Sequence, residues 1–334
     1  MAEKVVLSVD ALGGDNAPQV VLEGVASALE QDAGLEIVLC GPEEVVGPFA
    51  AGQSRCTAQA TTEFIDMDEH PAEAVRRKKD SSIVVGCRLV KEGQAQGFFS
   101  AGSTGACLAA ATLVIGRVKG ISRPALCTVL PSPVKPVVMC DIGANADCRP
   151  EYLVQFAQMA TIYMEEILHI SDPRVALLNI GTEETKGSAF AQEAFALLKD
   201  AVPNFAGNAE GSDILAANFD VFVTDGFTGN VCLKAIEGTS KTLFKALKEI
   251  FYSTPLTKLG ALIIKGGLER LMERISPDTY GGAPLLGVKG ACIVGHGASN
   301  ALAISNGIHT AAEIVRRDVS GLIAETVSKP EGIR

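Results

Sequence analysis

Short apolar, β-branched runs alternate with longer stretches of helical periodicity from one end of the chain to the other. The runs at 4–9 (KVVLSV), 35–40, 96–100, 125–130, 136–141, 174–180, 219–224 and 290–295 predict strands. The patterns at about 18–32, 71–92, 103–116, 150–168, 186–200, 228–251, 256–275 and 298–317 predict helices. Several strand runs are apolar at successive positions, as expected of strands covered on both faces. This alternation predicts an α/β protein with three layers, α/β/α, around a mainly parallel sheet. No Pro/Ser-rich linker and no fixed-period repeat interrupts it, so residues 1–334 read as a single α/β unit.

One region breaks the rhythm. Between 228 and 276 two helical patterns succeed each other with no strand between them, separated by YSTPLTK with Pro255 as breaker. They predict a protruding antiparallel hairpin. Leu243, Leu247, Ile250 and Phe251 recur at helical spacing, so one stripe needs a partner surface. Residues 241–274 carry a local net charge of +4 in a chain of −10. The apolar segment 259–264 lies between Lys258 and Lys265 and is too short to span a bilayer, but long enough to enter its interface.

The turns at the strand ends carry the chemistry. They are Asp10-Ala-Leu-Gly13-Gly14-Asp15, Ser100-Ala-Gly-Ser103-Thr104-Gly-Ala106, Asp141-Ile-Gly-Ala-Asn145-Ala-Asp147, Asn179-Ile-Gly-Thr-Glu-Glu-Thr-Lys186-Gly187, Thr224-Asp225-Gly-Phe-Thr-Gly229-Asn230 and Gly295-His296-Gly-Ala-Ser299-Asn300. Each joins glycine to small polar or acidic residues, and Lys234 comes one turn after Asn230. Glycine lets backbone N–H groups approach a ligand, and helix starts capped by Ser, Thr or Asn present free donors and a partial positive charge. Together these features predict an anion site, with phosphate as the expected ligand, along one carboxyl edge of the sheet. His296, between two glycines, is the histidine best placed to titrate in such a turn.

Composition and charge narrow the picture. With 47% hydrophobic and 20% charged residues the chain can build a large core. The net charge of −10 opposes a whole-surface nucleic-acid binder. Nine cysteines without a CxxC pair or zinc-finger spacing predict buried reduced thiols, no metal site and a cytoplasmic setting. The apolar run before Asp10 is too short for a signal-peptide core. No GxGxxG follows a strand and Gly-Lys never occurs, which removes the dinucleotide fingerprint and the Walker A loop. The run Arg76-Arg77-Lys78-Lys79 is a local basic cluster, readable as a solvated helix face or as a docking patch for an acidic partner.

Long motifs carry a resemblance over almost the whole chain. They include VDALGGDNAP at 9–18, AVRRKKDSS at 74–82, SAGSTGA at 100–106, DIGANAD at 141–147, LLNIGTEETKG at 177–187, DVFVTDGFTGNVCLKAIEG at 220–238 and YGGAPLLGVKGACIVGHGAS at 280–299. In these the chain resembles the phosphate acyltransferase family of bacterial phospholipid synthesis. The resemblance implies a fold like those of isocitrate dehydrogenase and phosphotransacetylase, a homodimer, and loose attachment to the inner membrane face. It implies an acyl phosphate made from acyl-(acyl carrier protein) and inorganic phosphate without a cofactor, and passed to a glycerol-3-phosphate acyltransferase.

Under that reading Asp10, Gly13, Gly14, Ser100, Ser103, Thr104, Asn179, Gly229, Asn230, Lys234 and Ser299 bind phosphate or substrate. Lys186 and His296 carry charge during transfer, and Asp225 and Asn145 orient them. Arg76, Arg77, Lys78 and Lys79 dock the carrier protein, while Leu259, Leu262, Ile263 and Ile264 touch the membrane. Two rival readings are a dehydrogenase-like enzyme acting on a small anionic hydroxy acid, and a non-enzymatic phosphate- or lipid-sensing scaffold.

Overall fold

The computed structural model of the protein describes residues 4–328. Its strands are β1 (Val5–Asp10), β2 (Leu35–Gly41), β3 (Cys56–Ala60), β4 (Gly97–Ser100), β5 (Ala125–Leu130), β6 (Val137–Cys140), β7 (Val175–Leu178), β8 (Phe205–Ala209), β9 (Val221–Val223), β10 (Ala283–Leu286) and β11 (Ala291–Val294). They form one sheet in the order β3-β2-β1-β4-β11-β10-β5-β6-β9-β7-β8. The helices are α1 (Gln19–Gln31), α2 (Glu43–Ala51), α3 (Pro71–Arg77), α4 (Ser82–Lys91), α5 (Thr104–Ala110), α6 (Pro150–Glu166), α7 (Ala189–Ala201), α8 (Gly211–Ala216), α9 (Gly226–Tyr252), α10 (Pro255–Arg274), α11 (Ala301–Arg316) and α12 (Val319–Ser328).

Two adjacent phenylalanines show how the layers separate. Phe98 and Phe99 of β4 are both fully buried, and successive strand residues point to opposite faces. Phe99 packs in the core that holds Val21 and Val25 of α1 and Ile304 and Ile308 of α11. Phe98 packs in the core that holds Ile83 and Val84 of α4 and Ala106 and Cys107 of α5. A Cβ on Gly307 would lie 2.4 Å from the Phe99 ring, and one on Gly86 would lie 2.6 Å from the Phe98 ring. The same two cores continue to the far side of the sheet, under α6 and α7 on one face and α8 on the other. The expected three-layer α/β/α architecture is therefore present.

Seven of the ten strand pairings are parallel, as predicted, but the other three change the geometry. β10 runs antiparallel to both β11 and β5, and β5 runs antiparallel to β6. The group β3, β2, β1, β4, β11 thus runs opposite to the group β6, β9, β7, β8. The six glycine turns do not share one carboxyl edge; three leave the sheet at one end of its strands and three at the other.

Other differences have local causes. The pattern at 71–92 is two helices, because Lys78 leaves helical geometry at φ −91°, ψ 70° and Ser81 is extended before α4 starts. The expected helix at 103–116 is α5 followed by a π-helical turn, Ala111–Ile115. β3 and β8 are the two edge strands, short and rich in Ala, Gly, Asn and Gln, so they carry little strand signal. β10 contains Pro284, which lacks an N–H and reads as a strand breaker. The hairpin of α9 and α10 stands off the sheet as expected: Gly226 and Gly229 are the buried residues of α9, while Leu243 and Ile250 are exposed. Among the described residues no helix is long and apolar enough to cross a membrane.

Candidate functional site

The first cluster forms where β1, β4 and β11 end. These strands are neighbours in the sheet and in register, with Val9 opposite Phe99 and Ser100 opposite Val294. The chain after β4 enters α5 on one face, and the chain after β11 enters α11 on the other. A reversal of helix side between adjacent parallel strands opens a crevice beyond their carboxyl ends. Ser103 caps α5 by accepting from the Ala106 N–H at 3.4 Å, and Asn300 caps α11 by accepting from Ala303 at 2.9 Å.

The three turns interlock through glycine. A Cβ on Gly13 would lie 2.7 Å from the Gly102 nitrogen and 2.8 Å from that of Ala101. Gly14 has φ +111° and lies against the Gly297 carbonyl, which accepts from the Asp15 N–H at 2.7 Å. Asp10 is 1% exposed and Ser100 is fully buried. The Ser100 hydroxyl donates to Asp10 Oδ2 at 2.7 Å, and the Leu12 N–H donates to Oδ1 at 3.0 Å. Burial pushes the Asp10 carboxyl above its usual range despite these bonds. Thr104 and His296 are exposed at the rim, whereas Ser299 is buried beneath it. His296 Nδ1 accepts from the Ala298 N–H at 3.1 Å, which leaves Nε2 directed away from its own turn's backbone bond.

The second cluster lies at the ends of β6, β9 and β7. Asp141, fully buried, accepts from the N–H groups of Leu126, Gly143, Ala144 and Asn145 and from Asn145 Nδ2. Burial raises its carboxyl, and these bonds offset that only in part. Asn145 also donates to the Pro124 carbonyl at 2.8 Å. Asp225 caps α9, accepting from the Thr228 N–H at 2.9 Å. A Cβ on Gly229 would fall 2.0 Å from the Asp141 carbonyl, so the turn and α9 pack backbone to backbone. Asn230 and Lys234 are exposed, and Lys234 pairs with Glu237 at 3.0 Å. Asn179 donates to the Lys186 carbonyl and to Asn208 Oδ1, while Lys186 Nζ faces solvent 3.8 Å from Glu183.

The structure thus brings Asp10, Gly13, Gly14, Ser100, Ser103, Thr104, His296 and Ser299 together. It gathers Asn145, Asp225, Gly229 and Asn230 separately, with Asn179 and Lys186 at the end of the neighbouring strand. Among the described residues no hydrogen bond links the two clusters. Asp141 reads from sequence only as a turn residue, although an Asp preceding Ile-Gly-Ala-Asn is well suited to accept from the N–H groups beyond it. In the basic run, Arg76, Arg77 and Lys79 are exposed, while Lys78 is drawn in by Glu69 and the Phe64 carbonyl. α3 lies against α5, where a Cβ on Gly105 would touch Pro71 at 2.6 Å, and Ser82, three residues beyond the run, hydrogen-bonds Asp10 of the first cluster. A hollow of about 600 Å³ opens at the other end of β4 and β11, lined by Gln96, Lys289 and Ala291 among others, and takes in none of these residues.

The cysteines are not placed as nucleophiles. Cys107, just inside α5, is fully buried and its thiol is pushed up to about 12 by burial; burial likewise raises Cys140.

Comparison with known proteins agrees with this architecture. A family model described as "Fatty acid synthesis protein" matches residues 5–322. The phosphate acyltransferase of Desulfitobacterium hafniense (strain Y51) is 50% identical over 323 residues, covering 96% of this chain and 95% of its own. That of Lysinibacillus sphaericus is 47% identical, covering 96% and 98%. Among solved structures, a phosphotransacetylase from Streptococcus pyogenes superposes with a TM-score of 0.61 at 20% identity, covering 94% and 95%. A branched-chain phosphotransacylase from Enterococcus faecalis V583 gives 0.58 at 14% identity, covering 92% and 99%. These two share the fold. The extent and identity of the sequence matches show that the chain belongs to the phosphate acyltransferase family, enzymes that transfer acyl groups in fatty-acid and phospholipid synthesis.

Proposed function

We propose that the protein makes acyl phosphate from acyl-(acyl carrier protein) and inorganic phosphate, with phosphate seated at the first cluster. The observation that supports this reading is the crevice beyond β1, β4 and β11, where three glycine turns and two capped helix starts meet at a reversal of helix side. A phosphate oxygen attacks the thioester carbonyl, the C–S bond breaks, and the thiolate takes up a proton. Phosphate near neutral pH is already anionic, its second pKa being about 6–7. The leaving thiol has a pKa near ~8.5, so neither a strong base nor a strong acid is needed. The enzyme's task is positioning and charge stabilisation. Backbone donors around Ser103 and Thr104 hold phosphate, and His296 polarises the carbonyl or protonates the thiolate. Lys186, Lys234, Asn145, Asn179, Asp225, Gly229 and Asn230 lie in the second cluster, away from the seated phosphate, and take no step of the transfer in this reading.

The exposed residues Arg76, Arg77 and Lys79 fit an acidic carrier protein, and their nearness to α5 supports that role. The hairpin, with Leu259, Leu262, Ile263 and Ile264 exposed, serves a membrane surface or a second copy of the chain. The product then passes to a glycerol-3-phosphate acyltransferase at the inner membrane face. Replacing Leu262 and Ile263 by glutamate separates the hairpin roles: liposome binding that survives unchanged removes the membrane contact, and unchanged dimer mass removes the dimer contact.

The deciding experiment mixes the protein with acyl carrier thioester and phosphate, and monitors free thiol together with hydroxylamine-trapped acyl phosphate. Phosphate-dependent release of both in equal amounts is expected. Thiol release without trapped acyl phosphate would make the protein a thioesterase and overturn the reading. Nicotinamide-dependent turnover of a hydroxy acid would favour the dehydrogenase alternative.

A further inference from the structure

Asp10 and Ser100 fit poorly as ligand contacts. Asp10 is 1% exposed and Ser100 fully buried, so neither presents a free atom to the crevice. Ser100 has a single hydroxyl proton, and it is directed to Asp10 Oδ2 at 2.7 Å. The Ser100 oxygen accepts in turn from the Gly102 N–H at 3.0 Å. Asp10 Oδ1 accepts from Leu12, and the side chain of Ser82, the first residue of α4, hydrogen-bonds the same carboxylate. The chain Asp10–Ser100–Gly102 therefore sets the direction of the backbone just before Ser103 and Thr104. Gly13, pressed against the nitrogens of Ala101 and Gly102, closes the other side.

The choice of an acid has a physical reason. Only a carboxylate accepts from Leu12, Ser82 and Ser100 together while donating to none of them. An asparagine turns an NH₂ toward one of these donors. If that donor is Ser100, the hydroxyl proton loses its partner and the bond to Gly102 is no longer held in one orientation. A buried carboxylate beside an anion site also carries an electrostatic cost, which a group serving packing alone would avoid by being neutral.

We infer that Asp10 is a positioning residue for the phosphate turn, acting through Ser100 on Gly102, Ser103 and Thr104 without touching the ligand. This rests on the reading that phosphate sits at that turn, and the test separates the two. Asp10→Asn, Ser100→Ala, the double variant and Thr104→Glu are compared with the unmodified protein, varying phosphate and acyl donor independently. Thr104 is exposed at the first position of α5, where an acid suits the helix start, so Thr104→Glu is expected to fold while its carboxylate occupies the anion position.

Asp10→Asn is expected to raise the KM for phosphate at least tenfold, about 1.4 kcal/mol, with the KM for the acyl donor within about twofold. Ser100→Ala should match it, and the double variant should be no worse than the poorer single one, because the two residues act as a unit. If Asp10→Asn fails to fold, Ser100→Ala carries the same comparison. Thr104→Glu should abolish saturation by phosphate. Loss of phosphate dependence in Thr104→Glu, with a normal phosphate KM in both folded relay variants, overturns the positioning role alone. A lower kcat with an unchanged phosphate KM assigns the relay to structure only and overturns it as well. A normal phosphate KM in all four variants puts phosphate elsewhere and removes the underlying reading.

Discussion

Replacing Asp141 by asparagine tests how one carboxylate holds the second cluster. Oδ1 accepts from the N–H groups of Leu126, Gly143 and Ala144 at 3.1, 3.1 and 3.0 Å. Oδ2 accepts from N and Nδ2 of Asn145 at 2.8 and 2.9 Å. A carboxamide has one oxygen. Turned one way, its NH₂ faces the two donors of Asn145; turned the other, it faces three backbone N–H groups. The better orientation still sets two buried donors against a donor. Each unsatisfied donor costs about 1–3 kcal/mol, so the pair costs about 2–6 kcal/mol. Burial holds the Asp141 carboxyl above its usual range, so removing the charge returns part of that cost. A net loss of about 2–4 kcal/mol is expected, a large share of the ~5–15 kcal/mol that holds a typical domain together. Urea unfolding monitored by circular dichroism should show a lower midpoint at an unchanged slope. A loss below about 1 kcal/mol would refute the view that these five bonds, rather than packing alone, hold the turn.

Three further outcomes are expected from other parts of the fold. Burial alone would raise Asp32, but Arg316, 2.6 Å away, and the Gly34 N–H hold its carboxyl below the usual range. Its stabilisation is therefore present above the unfolded value of about 3.9 and lost as pH falls through the lower folded value. The advantage of the unmodified protein over Asp32→Asn in thermal melts should shrink over that interval, and a constant gap would contradict the assignment. Burial pushes Cys107 up to about 12 and Cys56 and Cys148 up to about 11, so iodoacetamide at pH 8 should leave acyl transfer intact. Rapid inactivation with labelling of Cys107 would argue against direct attack by phosphate. Charge reversal at Arg76 and Lys79 should raise the KM for the carrier thioester, most at low salt, whereas Lys78→Glu should cost stability because Lys78 pairs with Glu69. A carrier KM indifferent to salt and to both reversals leaves only a solvated helix face.

Much of this fold is legible in the chain because its core strands are short and doubly buried. VVLSVD, GFFS and ACIV carry strand signal at nearly every position, and each ends in glycine and small polar residues that open the next helix or turn. The edge strands CTAQA and FAGNA are not legible, since pairing with one neighbour, rather than side-chain preference, holds them in place. The break between α3 and α4 is hidden as well. Residues 76–82 are all polar and pass for a solvated helix face, while the cause of the break is tertiary: the Lys78 side chain is drawn to Glu69 and the Phe64 carbonyl.

The residue types of the candidate site are readable in the chain, but their grouping is not. Asp10 and Asp141 look alike in sequence, each ending an apolar run and followed by glycine. Their environments are also alike, for each is a buried acceptor that ties its own turn to a neighbouring segment, Asp10 to the end of β4 and Asp141 to the start of β5. What separates them is strand direction, reversed between β11 and β6 by the antiparallel pairings of β10 and β5. β10 conceals this reversal because Pro284 and its flanking glycines mask it as a loop. Read as a mainly parallel series, the strands place all their carboxyl ends together, although the short link PSPVKP between β5 and β6 leaves no room for a crossover helix and marks one of the reversals. With β10 in the sheet, the molecule has two turn clusters built on the same principle, each with a reversal of helix side, between β4 and β11 in one and between β6 and β9 in the other; Thr104 and His296 are exposed at the rim of the first, and Asn230 and Lys186 at that of the second. Variants confined to one cluster therefore test that cluster alone, because no hydrogen bond among the described residues carries a change from one turn set to the other.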